Sequence, residues 1–476
     1  MKKYKNNFIF NSKSLFETAF YYFFLFIITF IVVDISPTLI SSLQPDSYTY
    51  IEFDQTRTSV YPSFISLSNF IEIDLIFLQK IFFSISIVFL IYALKSKNIE
   101  NSIILLFYIF LVSNVFYTTF SKIVLTESLF FTFINLSFAI LILGKKDNHA
   151  LNFFFGTSIG LIIATKSIGL AIGVPLILVS SYIYYRSNKF YDFFTIFFGL
   201  VTVIIFENYF YYKKHTERMS VLPISITGKL ILLSGKDSFN IKNYSETHRE
   251  ILKNSKKTFE PVVKFLENIQ NPLLRSDLMA DYEVVAQYQI LKKMAKEDFD
   301  IDKLKDVIGN AHIHFTSTDE LFYQLLKNNL KDYLILSSHH YIGMWSTNSK
   351  EIFLNNYLKN KSISQPLLKE FNNASSGVKE VNIKILILAQ LFFFVLFLSF
   401  IFLTFITFFL FFTKKFFDNY NFALPIIISQ FYLVLVSLSN VATVRYLMPI
   451  YPLILLSMVF FISLVRENIK LIVSKE

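Results

Sequence analysis

Ten apolar runs constrain this chain more than anything else in it. Uncharged or nearly uncharged stretches fall at 16–35, 75–94, 101–121, 125–144, 150–165, 167–185, 191–208, 384–413, 420–441 and 446–465. Most have the length that an α-helix needs to cross a hydrocarbon core about 30 Å thick. The chain is 54% hydrophobic and 17% charged, with 58 Phe, which is more apolar surface than a soluble core could hide. The fold class expected is therefore an all-α polytopic membrane protein with about ten transmembrane helices.

The flanking charges orient these runs. Lys2, Lys3, Lys5 and Lys13 precede the first. Lys95 and Lys97, Lys145 and Lys146, Arg186 and Lys189, Lys414 and Lys415, and Arg466, Lys470 and Lys475 follow the even-numbered ones. Short basic loops face the cytoplasm, so both termini are expected there. The net charge of +10 then reads as a topology signal and an attraction to anionic lipid, not as a nucleic-acid footprint. The absence of cysteine excludes disulfides and thiolate metal sites. Three regions are expected: an N-terminal transmembrane module over 1–212 with its first outer loop at 36–74, a mainly helical extracytoplasmic domain over 213–380 inserted after the seventh helix, and C-terminal transmembrane helices over 381–476. Within the insert, Asp319–Trp345 has apolar residues at helical spacing and reads as a helix lying on the membrane surface.

The odd-numbered exits carry the unusual ionisable residues. Asp46 follows Pro45 just after the first run, and a carboxylate there can take a proton from an attacking hydroxyl. Helix capping is its plainer role. Glu127 opens the fourth run, where the helix dipole alone would favour an acid. Arg57, Lys166 and Arg445 sit at outward ends of runs. Each could simply snorkel to headgroups, but as a set they could hold a phosphate. Lys166 splits two runs rich in Gly156, Gly160, Gly169 and Gly173, which suggests a broken helix pair or a re-entrant segment. His312 and His314, like His339 and His340, lack metal-ligand spacing, and His340 is expected at the lipid–water interface with Tyr341 and Trp345. Asp46 and Asp54 would be available to a divalent metal, although no clear ligand set accompanies them.

The stretch "PDSYTY…TRTSVYPSF" resembles the first outer loop of the GT-C membrane glycosyltransferases, with Asp46, Tyr50, Thr56, Arg57, Tyr61 and Pro62 at the matching positions and Ser59-Val60 where Pro-Gly is usual. "LTESLFF" over Leu125–Phe131 is similar to that family's Ser/Thr-Glu-Ser-Leu segment. "ATKSIGLAIGVPLIL" is similar to its Arg-Pro segment, with Lys166-Ser167 instead, and "KNNLKDYLILSSHHYIGMW" resembles the interfacial helix of its outer domain. "VRYLMPIYP" resembles its Arg-Tyr-x-x-Pro element.

The resemblance implies a bacterial inner (plasma) membrane glycosyltransferase. It would move a sugar from a polyprenyl-phosphate donor to an acceptor hydroxyl of a glycan, lipid or protein at the outer face. Asp46 would be the general base. Arg57, Glu127, Lys166, Arg445, Tyr50, Tyr61 and His340 would contact substrate or its phosphate. Two other readings stay open: a transporter or flippase of lipid-linked glycans, and a polysaccharide polymerase or ligase.

Overall fold

The computed structural model describes residues 12–39, 41–144, 148–186, 190–218, 222–295, 315–347, 383–413, 415–416 and 419–473. Among these residues every regular element is helical. Six helices are long and apolar enough to cross a membrane, or seven if a bent pair counts as one span.

The long helices are α1 (Ser12–Ile35), α4 (Leu75–Lys95), α10 (Phe190–Lys214), α15 (Ile383–Phe412), α16 (Tyr420–Ser439) and α17 (Tyr451–Val473). In α1 only 11% of the most apolar window is buried, and Phe20, Phe23 and Phe24 face outward, as lipid-facing residues would. Between α1 and α4 lie two short helices, α2 (Pro45–Ile51) and α3 (Val60–Phe70). The run expected at 101–121 is not one straight helix. It divides at Asn114 into α5 (Asn101–Ser113) and α6 (Val115–Thr119), with a bend of 58° when α6 is taken through Lys122. Asn114 has an extended backbone, and its side-chain oxygen accepts from Phe116 N at 3.0 Å and Tyr117 N at 3.3 Å. It caps the second helix instead of continuing the first.

Three runs give helices of 17 residues: α7 (Glu127–Leu143), α8 (His149–Thr165) and α9 (Leu170–Arg186). At 1.5 Å per residue each spans about 25 Å, less than a full hydrocarbon core. The break expected at Lys166 is present. Lys166 is extended (φ −153°, ψ 132°), and a 3-10 turn over Ser167–Gly169 leads into α9. α7 ends at Gly144 in the left-handed conformation (φ 43°), a common helix C-cap. α8 packs on α10 almost backbone to backbone. A Cβ on Gly156 would stand 1.9 Å from the Ile196 carbonyl oxygen, and one on Gly199 would stand 2.3 Å from that of Phe153. Small residues permit this kind of contact between membrane helices.

The insert contributes α11 (Leu222–Leu232), α12 (Glu246–Glu267), α13 (Pro272–Ala295) and α14 (Phe315–Gly343). They enclose their own core, centred on Phe259, Leu266, Leu278, Tyr282 and Leu325, apart from the core of the bundle. α14 leaves Tyr323, Leu330, Leu334 and Ile335 exposed, while its far end is seated on the bundle, where Trp345 packs edge-on to Phe397 at 5.1 Å.

Candidate active site

The loop between α1 and α4 is built to hold a fixed shape. Pro45 starts α2, and Gln44 caps it by donating its N–H to Ser47 Oγ at 2.8 Å. Phe53 turns the chain in a left-handed conformation (φ 52°). Asp54 Oδ1 then accepts from Thr56 N at 2.8 Å and Thr56 Oγ1 at 2.6 Å, closing a local turn. The end of α10 grips the loop from outside. Tyr211 OH donates to Gln55 O at 2.7 Å, His215 Nε2 meets Phe53 O at 2.7 Å, and Lys214 donates to Glu52 O. Glu207, buried, accepts from Ser59 N at 3.2 Å and from Arg218 at 2.9 and 2.7 Å, while Ser59 Oγ donates to Glu207 O at 2.9 Å.

This scaffold brings Asp46, Arg57, Glu127, Lys166 and Arg445 to one end of the bundle. Asp46 Oδ1 accepts from Arg57 at 3.2 Å, and its Oδ2 accepts from Arg445 at 3.2 Å. Arg57 also donates to Thr49 Oγ1 at 2.8 Å and Tyr50 OH at 3.2 Å, and its guanidinium lies 4.5 Å from the centre of the Tyr50 ring. Glu127 accepts from Lys166 Nζ at 2.7 Å and from Arg445 Nε. Lys166 rests over the Tyr446 ring at 4.9 Å. Glu127 is fully buried, whereas the Asp46 side chain is 44% exposed. The buried acid thus holds two cations from behind, and the exposed acid stands in front. Three cations outnumber the two carboxylates they contact, with Asp54 also acting on Arg57 from nearby. Crowding by the surrounding protein pushes the Asp46 pKa up, but the Arg445 and Arg57 charges outweigh it and hold the carboxyl below its usual value.

Two nominated residues, Tyr61 and His340, stand elsewhere. Glu127, expected to contact substrate or its phosphate, is at the site but sealed beneath it. It holds Lys166 and Arg445, and its burial keeps an acceptor from it. Tyr61 is buried and its hydroxyl donates to Gln79 Oε1 at 2.5 Å, so it braces the loop against α4. His340 is not at a lipid–water interface. It is fully buried, with one ring nitrogen on Glu283 and the other on Ala442 N at 3.0 Å. Burial is possible because both nitrogens find polar partners. His312 and His314 lie outside the described residues.

Asp54 Oδ1 accepts twice from Thr56, and two guanidinium groups stand beside Asp46, where they oppose a dication. Among the described residues no group of three or more His, Cys, Asp or Glu is placed to hold a metal. Thr49, Tyr446, Gln79, Glu207 and Arg218 support the site and were not singled out from sequence. An acid inside the apolar run 191–208 was the available signal for Glu207. No protein-family model, curated protein or solved structure matches this chain.

Proposed function

We propose that the chain is a membrane glycosyltransferase of the GT-C type with about ten spans, moving a sugar from a polyprenyl-phosphate donor to an acceptor hydroxyl. α7, α8, α9 and the bent α5–α6 pair would complete the span count. The site would face the non-cytoplasmic side of a bacterial inner membrane, with both termini in the cytoplasm. The observation that carries this reading is the pairing of Asp46 with two arginines, 11 and 399 residues away, at a half-open edge of the bundle.

Asp46 is the base. Its carboxylate takes the proton of the acceptor hydroxyl as that oxygen bonds to the anomeric carbon. The bond from the anomeric carbon to the phosphate oxygen breaks, and its electron pair leaves with the polyprenyl phosphate. A single displacement of this kind inverts the anomeric centre. Arg57 and Arg445 already stand 3.2 Å from Asp46 and present further N–H groups, so they can turn to the departing phosphate as its charge grows. Lys166, held by Glu127, adds a third positive charge. Arg57 leans on the Tyr50 ring, which keeps it in place while its partners change.

The test is product formation. Purified protein in liposomes is given prenyl-phosphate hexoses and pentoses with a glycan, lipid or peptide acceptor. Covalent transfer supports the reading. Movement of intact lipid-linked sugar between leaflets, with no new glycosidic bond, supports a transporter instead.

A further inference from the structure

A second group of ionisable side chains is sealed inside the insert, where it meets the bundle. Lys229 on α11, Glu283 on α13 and His340 on α14 are each fully buried. Glu283 Oε1 pairs with His340 Nε2. His340 Nδ1 accepts from the backbone N–H of Ala442 at 3.0 Å. Lys229 Nζ donates to Ser437 O at 2.7 Å, and Tyr333 OH donates to Leu438 O at 2.5 Å. Two helices of the insert, α11 and α14, therefore grip the segment 437–442, immediately before Arg445, and α13 backs them through Glu283.

The chemistry of these contacts fixes the imidazole. A backbone N–H can only donate, so Nδ1 must carry a lone pair, and the ring proton sits on Nε2, facing the Glu283 carboxylate. A doubly protonated ring would aim one N–H at another. Burial holds the His340 pKa below its usual value, with Glu283 opposing that shift, which agrees with a neutral ring. The packing is as tight as the hydrogen bonding. A Cβ on Gly343 would stand 2.6 Å from Ser276 Cβ and 2.9 Å from Ala442 Cβ. Ala442 is followed by Thr443, whose extended backbone (ψ 151°) opens the 3-10 turn Val444–Tyr446 that carries Arg445. A buried carboxylate facing a neutral ring is a poor stabiliser by itself, because one hydrogen bond offsets only part of its desolvation. A geometric role accounts for it better.

We infer that His340, backed by Glu283, is a positioning residue for Arg445: the insert sets where that guanidinium points by holding the Ala442 backbone. This rests on the reading of Arg445 as a phosphate-binding group. His340 would act through Arg445 and would not touch the substrate.

The experiment reads binding of farnesyl phosphate to the full-length protein in detergent. His340→Asn keeps an acceptor near the Nδ1 position and loses the reach to Glu283. His340→Gln keeps the reach and loses the acceptor. Asn is expected to bind within about 3-fold of wild type, and Gln to weaken binding about 10-fold or more, the scale of a lost charge-assisted hydrogen bond. In an Arg445→Ala background His340→Gln should add nothing, because effects that pass through one residue are not additive. Gly343→Ala, which presses on Ala442 without altering any charge, is the second probe and should also weaken binding. If Arg445→Ala weakens binding while His340→Gln and Gly343→Ala do not, or if the losses add, this inference alone fails. If Arg445→Ala binds like wild type, the phosphate reading fails and takes this inference with it.

Discussion

Glu127 and Arg445, 318 residues apart in the chain, share a hydrogen bond at the closed side of the site. Glu127 is completely buried and also receives Lys166, so one inaccessible carboxylate orders two cations contributed by distant segments. That arrangement makes Glu127 a structural anchor for both cations. Removing a partner of a buried charge costs about 3–5 kcal/mol, because the charge left behind is unsolvated. Arg445→Ala and Lys166→Met should each lower the thermal unfolding midpoint of the detergent-solubilised protein. A variant unfolding at the wild-type temperature would mean that Glu127 has another source of compensation.

Arg57 makes three distinct donations, to Asp46, Thr49 and Tyr50. A lysine retains the charge but cannot reproduce the planar fork. Arg57→Lys should raise the donor KM by about 10- to 100-fold, the equivalent of one charge-assisted hydrogen bond. An unchanged KM would leave Arg57 with a purely local role in the loop.

The pH dependence of Asp46 follows from the sign of its shift. Its folded pKa lies below the ordinary value because Arg445 and Arg57 outweigh the crowding around it. Stability from this pairing is therefore present above the unfolded pKa of about 3.9 and is lost only as pH falls through the lower folded value. As the proposed base, Asp46 stays ionised across the working range, so transfer should show no acid limb from it between about pH 5 and pH 8. An acid limb near neutrality that shifts in Asp46→Glu would contradict this.

α8 packs on α10 at Gly156 and on α9 at Gly173, and the two contacts hold different kinds of glycine. At Gly156 an added methyl meets the fixed Ile196 carbonyl at 1.9 Å, whereas at Gly173 it meets side-chain atoms of Ile163 at 2.6 and 2.7 Å. Overpacking against backbone costs about 1–3 kcal/mol or more. Gly156→Ala should lower the unfolding midpoint clearly more than Gly173→Ala, as read in parallel melts. Equal effects would place the two helices farther apart than described.

Because the chain has no native cysteine, sidedness can be read cleanly. Ser42→Cys in the first loop and Lys253→Cys in the insert, both exposed, should react with an impermeant maleimide from outside the cell. Ser96→Cys, at the far end of α4, should react only after permeabilisation. Opposite labelling of Ser42 and Lys253 would separate the loop from the insert.

Much of this was legible in the amino-acid order because the membrane imposes a coarse rule. Each apolar run became helix, and Asp46, Arg57, Glu127, Lys166 and Arg445 stood out because charges are costly near lipid. Their convergence was suggested by sidedness alone. What the order concealed was partner choice. Glu127 gives no sign in sequence that it takes Arg445 in preference to Arg57. His340 stands beside Tyr341 and Trp345 and suggests an interface, yet its burial depends on Glu283, 57 residues earlier. The kink at Asn114 was equally hidden, since a single polar residue in an apolar run can cap, kink or simply face a neighbour.

The proposed transfer depends most on its proton acceptor. Its direct measurement is the initial rate of sugar transfer by Asp46→Asn in reconstituted liposomes, beside farnesyl phosphate binding by the same preparation. A general base contributes about 100- to 10,000-fold, so the rate should fall by that factor while binding is retained. Transfer at the wild-type rate by a correctly folded Asp46→Asn protein would contradict the assignment of Asp46 as the base.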